Sequence, residues 1–118
     1  ALQAGQGAPV YCYLFAWQSP VLDYAWSAGH SSDLAFAFDN AEAGIQSSGG
    51  GPAVARLTAE MSSAWINFIR TGDPNGRGVT RWQRFTADRP ATLVFDAPSA
   101  LKLGHDGELM KALQPTRR

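Results

Sequence analysis

Pro9 to Trp17 reads Pro-Val-Tyr-Cys-Tyr-Leu-Phe-Ala-Trp, an unbroken run of β-branched and aromatic residues with Gly7 before it and Ser19-Pro20 after it. Apolar and polar residues do not alternate along it, so neither face is reserved for water. The run therefore predicts a strand covered on both faces, as in the middle of a parallel sheet. Such a strand needs neighbours. Only Ala91 to Asp96 (Ala-Thr-Leu-Val-Phe-Asp) carries a comparable signal and is expected as an edge strand, and two strands do not make a doubly covered sheet.

Between the two lies one long helix. Pro52 suits the first helical position, Val54, Leu57, Met61, Ala64, Trp65, Phe68 and Ile69 recur at steps of three and four, and Gly72 with Pro74 supplies a stop after Arg70. That spacing puts the apolar side chains on one broad stripe, expected to pack against a sheet. Ser47-Ser48-Gly49-Gly50-Gly51 and Asp73-Pro74-Asn75-Gly76-Arg77-Gly78 read as loops. The three glycines make no phosphate cradle, because no Lys-Ser/Thr follows them. Asp106 to Leu113 reads as a short amphipathic helix with Leu109, Met110 and Leu113 on one side, ended by Pro115.

The chain has 118 residues, enough for at most one ordinary domain, and 45% are hydrophobic, enough for a packed core. Ten basic and ten acidic residues give a formal net charge of zero, so no long-range field gathers a phosphate backbone or an anionic bilayer. Nucleic acid and membrane are not expected partners. The apolar run Val10 to Trp17 is far short of the roughly 20 residues that a membrane helix requires. The opening Ala-Leu-Gln-Ala-Gly-Gln-Gly has no basic region and reads neither as a signal peptide nor as a native start. A single Cys, Cys12, cannot form an internal disulfide and reads as a small buried hydrophobe.

Two side chains are obvious candidates for proton transfer at neutral pH, His30 and His105. His105 sits in the polar turn Gly104-His105-Asp106-Gly107, where an exposed, idle imidazole is expected. His30 follows Trp26-Ser27-Ala28-Gly29 and precedes Ser31-Ser32-Asp33-Leu34, in a loop downstream of the buried strand. In open parallel sheets, active groups collect beyond the carboxyl ends of the strands. Position alone does not assign chemistry, because most loop imidazoles are solvated or structural. A Ser-His-acid mechanism also needs a nucleophile, and no G-x-S-x-G elbow occurs in the chain. Ser31 and Ser32 are expected to cap backbone groups. His30, His105 and Cys12 are too scattered for a metal site, and no cofactor motif is present.

Ala8-Pro9-Val10-Tyr11-Cys12-Tyr13-Leu14-Phe15, then Ala28-Gly29-His30-Ser31-Ser32-Asp33-Leu34-Ala35-Phe36-Ala37-Phe38-Asp39-Asn40, resembles the last third of the type-B carboxylesterases, the cholinesterase and para-nitrobenzyl esterase group. The resemblance continues through Trp65-Ile66-Asn67-Phe68-Ile69-Arg70-Thr71-Gly72-Asp73-Pro74-Asn75, Trp82 and Ala91-Thr92-Leu93-Val94-Phe95-Asp96, and covers nearly the whole chain in order. The family pattern G-x-x-H-G/S-x-E/D-L maps onto Ala28 to Leu34 and carries the triad histidine to His30. This chain departs from the pattern at Ala28, where Gly is usual, at Ser31, where Gly is common, and at Asp33, where many members have Glu.

The resemblance implies an α/β fold in which residues 1–118 are the C-terminal segment of an α/β-hydrolase domain. The nucleophilic Ser, the oxyanion-hole glycines and the triad acid would lie upstream of Ala1. It further implies a serine carboxylesterase acting on a small-molecule ester without cofactor or metal. His30 would be catalytic and Asp33 a carboxylate behind it; Gly29 and Trp26 would stand at the pocket wall, with Trp26 equally suited to a core or lid. Alone, the segment is expected to be inactive, to require the N-terminal remainder of its own polypeptide, and to self-associate through open strand edges. An alternative is a catalytically dead cholinesterase-like binding or adhesion module on the same fold.

Overall fold

The computed structural model describes residues 6–25 and 27–113, apart from the Met110 side chain. Its strands are β1 (Cys12–Phe15), β2 (Ala91–Phe95) and β3 (Ala100–Leu103). Its helices are α1 (Leu34–Ala37), α2 (Ile45–Ser48), α3 (Gly51–Thr71) and α4 (Gly107–Leu113).

The strands form one mixed sheet in the order β1-β2-β3. β1 and β2 run parallel with Tyr13 opposite Leu93 and Phe15 opposite Phe95, while β2 and β3 are antiparallel with Leu93 opposite Leu101. The parallel pair needs a long crossover, and α1 to α3 lie within it. β2 shows the alternation of a central strand: Ala91, Leu93 and Phe95 are fully buried, and Thr92 and Val94 are half-buried. Ala91–Asp96 is therefore the middle of the sheet, and the expected edge position belongs to β3. Four residues after Pro98, two of them exposed, gave β3 too little pattern to stand out.

β1 is shorter than the Pro9–Trp17 run and lies at the other edge of the sheet, with Leu14 41% exposed. None of its four residues is fully buried, so the expected double cover is not met among the described residues. Cys12 is half-buried and unbridged, and burial pushes its thiol pKa up, as suits a small hydrophobe.

α3 is the expected helix. It begins at Gly51 with Pro52 in its first turn and ends at Gly72, whose φ of 76° is the left-handed closure that glycine permits. Val54, Leu57, Met61 and Ala64 are buried with Phe36, Leu93, Phe95 and Trp82 in one core. The far end of the stripe is only partly covered: Trp65 and Phe68, 39% and 37% exposed, meet Tyr13 and Tyr11 edge-on at 6.2 and 5.9 Å, and Ile69 is 76% exposed, contrary to the expected full packing.

Ser47 to Gly51 is not a continuous loop. Ser47 and Ser48 belong to α2, Gly51 to α3, and Gly49 with Gly50 makes the break between them. Both glycines have positive φ, and a Cβ at Gly49 would stand 2.5 Å from the Pro20 ring. Close approach of the backbone, and not flexibility, requires glycine here. α4 starts one residue later than expected and leaves Leu109 and Leu113 exposed, while Pro115 lies outside the described residues.

One clamp ties the run before β2 onto the sheet, and a second ties α3 to the loops around β2. The Trp82 indole Nε1 donates to the Cys12 carbonyl at 3.0 Å, and its ring meets Tyr11, Tyr13 and Phe95 edge-on at 5.7, 6.2 and 5.5 Å. Glu60 on α3 accepts from the Thr80 amide at 2.8 Å and from the Ser99 hydroxyl at 2.7 Å, tying α3 to the loop before β2 and to the β2-β3 turn.

Glu60→Ala is expected to cost about 1.5–3 kcal/mol by leaving both donors without their charged acceptor, read as a lowered thermal midpoint. A second prediction concerns Ser31, whose φ of 64° lies in the region where glycine costs least. Ser31→Gly should leave stability within about 0.5 kcal/mol, whereas β-branched Ser31→Val should lose about 1–3 kcal/mol in denaturant titration.

Candidate active site

The chain leaves the carboxyl end of β1 with Ala16 N–H still donating to the Phe95 carbonyl at 2.9 Å. Trp17 then turns its indole Nε1 onto the Ser48 carbonyl at 3.0 Å, which seats the path of the chain against α2. After a local turn through Val21 to Ala25, the backbone reaches the His30 turn. Ser32 closes that turn on Gly29, donating from its amide at 3.2 Å and its hydroxyl at 2.6 Å to the same carbonyl. The Leu34 amide donates to Ser31 at 3.2 Å, and α1 begins.

His30 is exposed and, with Gly29, lines a concavity of about 410 Å³ whose other walls include Trp17, Ser19, Phe36 and Ser48. The site is thus apolar at its base and ringed by hydroxyls. Those hydroxyls are mostly engaged. Ser48 Oγ donates to the Ala41 carbonyl at 2.7 Å, Ser47 Oγ to Gly44 at 2.9 Å, and Ser19 Oγ accepts from Val21 at 3.2 Å. Ser32 caps the backbone as expected, while Ser31 makes no such bond. Among the described residues no hydroxyl is hydrogen-bonded to His30, so no nucleophile is paired with the imidazole.

Asp33 goes elsewhere. It is the N-cap of α1, yet its carboxylate makes no capping bond and instead accepts from the Tyr13 hydroxyl at 2.9 Å. It lines a different concavity, about 500 Å³, with Tyr13, Leu34, Phe38, Trp65 and Ile69. The turn therefore presents His30 to one hollow and Asp33 to another, and no ion pair joins the two. Burial foremost, then the hydrogen bond to Asp33 and its charge, pushes the Tyr13 phenol up to about 12. Tyr13 was not singled out from the sequence, where it is one of several aromatics in a strand. Trp26 lies outside the described residues.

A larger hollow, about 940 Å³, opens near Asp73, Arg81, Trp82, Arg84, Asp88 and Arg89. Size does not make it the better candidate, because it is wide open and holds no group suited to proton transfer near neutrality. Asn75 binds Asp73 through its backbone N–H and side-chain amide, holding that carboxyl below the usual carboxylate range. His105 is exposed in its turn with Nε2 3.3 Å from Asp106. Among the described residues no cluster of three or more His, Cys, Asp or Glu is arranged to hold a metal, and no helix is long and apolar enough to cross a membrane.

Comparison with known proteins places this geometry in a family. Residues 1–111 match the family model described as the carboxylesterase family. The chain is 40% identical over 90 residues to phenmedipham hydrolase of Pseudarthrobacter oxydans, covering 73% of this chain and 18% of that protein. It is 29% identical over 117 residues to para-nitrobenzyl esterase of Bacillus subtilis, covering 93% of this chain and 22% of the relative. Among solved structures, a Geobacillus stearothermophilus carboxylesterase superposes with a TM-score of 0.79 at 38% identity, over 94% of this chain and 23% of that one. An esterase from Clostridium hathewayi, described as able to hydrolyse aliphatic aromatic polyesters, gives 0.79 at 36% identity over 92% of this chain and 21% of that one. The chain spans about a fifth of the length of these proteins. Its mixed sheet and helices are an α/β arrangement shared with esterases of the α/β-hydrolase fold, and the chain belongs to the carboxylesterase family.

Proposed function

We propose that this chain is the histidine-bearing, C-terminal segment of a serine carboxylesterase that cleaves small-molecule esters through an acyl-enzyme. The observation that carries the reading is His30, exposed on a concavity beyond the carboxyl end of a parallel strand, in a chain of carboxylesterase ancestry. The nucleophilic serine, the triad acid and the oxyanion donors come from the preceding polypeptide.

His30 takes the serine proton as the serine oxygen bonds to the ester carbonyl carbon. It returns that proton to the departing alkoxide when the carbon–oxygen bond breaks, leaving an acyl-serine and a free alcohol. Water then repeats the sequence: His30 accepts its proton, the hydroxyl oxygen bonds to the acyl carbon, and the proton goes back to the serine as the acid is released. General-base assistance of this kind contributes roughly 10²- to 10⁴-fold, and the oxyanion donors supply much of the rest. Ester-cleaving relatives, one named for para-nitrobenzyl esters, support a nitrophenyl or nitrobenzyl ester as the assay substrate.

The preceding polypeptide also covers apolar surface that this segment leaves open. Leu14 on the edge strand, Phe38 after α1 and Ile66 and Ile69 on α3 are 41%, 76%, 49% and 76% exposed, an arrangement that favours association when nothing covers it.

In the full-length protein, His30→Ala should lower hydrolysis of a nitrophenyl ester by at least about a hundredfold. Activity within a few-fold of the parent would remove the imidazole from the mechanism. The 118-residue segment alone should show no turnover above buffer and should scatter light as oligomers; a monodisperse, active monomer would overturn the proposal.

A further inference from the structure

We infer that Tyr13 is a positioning residue for His30, its hydroxyl anchoring the histidine-bearing turn to strand β1 through the Asp33 carboxylate. The inference rests on the proposed role of His30 and adds to it the element that holds the imidazole in place.

The first observation is how little else holds that turn. Among the described residues, every hydrogen bond made by residues 18–33 closes within the segment or onto the first turn of α1, except the 2.9 Å bond from Tyr13 to Asp33. Twenty residues separate these partners in sequence, so the bond closes the whole excursion from β1 to α1. The second observation is the diversion of Asp33. An aspartate at an N-cap ordinarily accepts from the free amides of the first turn, yet here the carboxylate leaves them and takes the strand hydroxyl.

The third is the rigidity of the donor. The Tyr13 ring sits edge-on to Trp65, Trp82 and Phe95 at 6.2, 6.2 and 5.7 Å, so its hydroxyl has one place to point. Its raised pKa keeps it a donor wherever the enzyme would work. From Asp33 the constraint reaches His30 in three residues, through a turn already closed by the two Ser32 bonds to Gly29. Proton transfer needs its base within hydrogen-bond reach, and a displacement of 1 Å costs about a hundredfold, so an anchor at this point bears on rate more than on substrate affinity.

The test uses the full-length protein and a nitrophenyl ester. Tyr13→Phe keeps the aromatic packing and removes only the hydroxyl; kcat should fall about tenfold while KM stays within about twofold. Asp33→Ala should do the same, and the double variant should be no slower than either single one, because both break one link. Asp33→Asn, whose amide oxygen still accepts from the phenol, should recover most of the kcat lost in Asp33→Ala. If Tyr13→Phe disturbs folding, the Ala and Asn variants at position 33 read the same link from its other end. Parent-like kcat in Tyr13→Phe alongside an inactive His30→Ala protein would overturn the anchor and leave the catalytic histidine standing. So would an Asn variant as slow as the Ala one. An active His30→Ala protein would instead remove the catalytic histidine, and the anchor's purpose with it.

Discussion

The Trp82 indole holds this structure together. Its N–H is spent on a backbone carbonyl of β1, its ring meets Tyr11, Tyr13 and Phe95 in T-shaped contacts, and its own backbone is pinned by Asn75, which accepts from its amide at 2.7 Å and donates to its carbonyl at 2.8 Å. Two strands far apart in sequence, β1 and β2, therefore meet on one side chain, and the turn after α3 holds the backbone that carries it. A large ring with one polar atom suits such a junction, because it buries apolar area in all directions and needs only a single partner to leave nothing unsatisfied.

From that junction the order of events along β1 follows. Tyr13 is gripped by Trp82, Phe95 and Trp65, and its ring is thereby aimed at Asp33. Asp33 opens α1, and α1 packs on α3. The imidazole proposed to move protons is thus several contacts removed from the core but never disconnected from it. Elsewhere the path is anchored by another tryptophan bond, from Trp17 to the Ser48 carbonyl at the end of α2. Two aromatic N–H groups and one phenol do the work that a regular ladder does inside a sheet, which suits a segment that must leave the sheet to present a reactive group.

How much of this was legible differs by element. The long helix could be read because its signals are local and repeated: apolar steps of three and four, a proline in the first turn, a glycine at the end. β2 could be read as a strand from its composition, but not as the central one, because rank in a sheet depends on which other segments pair with it. β3 is not legible in the sequence, since four residues with two exposed carry almost no periodic information. The glycines at 49 and 50 were legible as part of a loop, yet the reason for Gly49, the Pro20 ring standing where a Cβ would go, involves a residue that sequence order does not bring near.

The same division holds for the candidate site. Family membership and the absence of a G-x-S-x-G elbow within the chain were available from residue order alone, since each rests on short motifs and on their succession along the chain. Backbone capping by the serines beside His30 was legible and holds for Ser32, whereas the bond from Ser48 to the Ala41 carbonyl and the one that Ser19 accepts from Val21 were not. Asp33 could be marked as a carboxylate near the histidine; that it turns away from the imidazole and onto a strand tyrosine was decided only when twenty residues of intervening chain folded back. Local chemistry writes helices and motifs into a sequence, because the interacting groups are already neighbours. The partner of a buried hydroxyl or a capping carboxylate is chosen by which surfaces meet, and only the folded chain makes that choice.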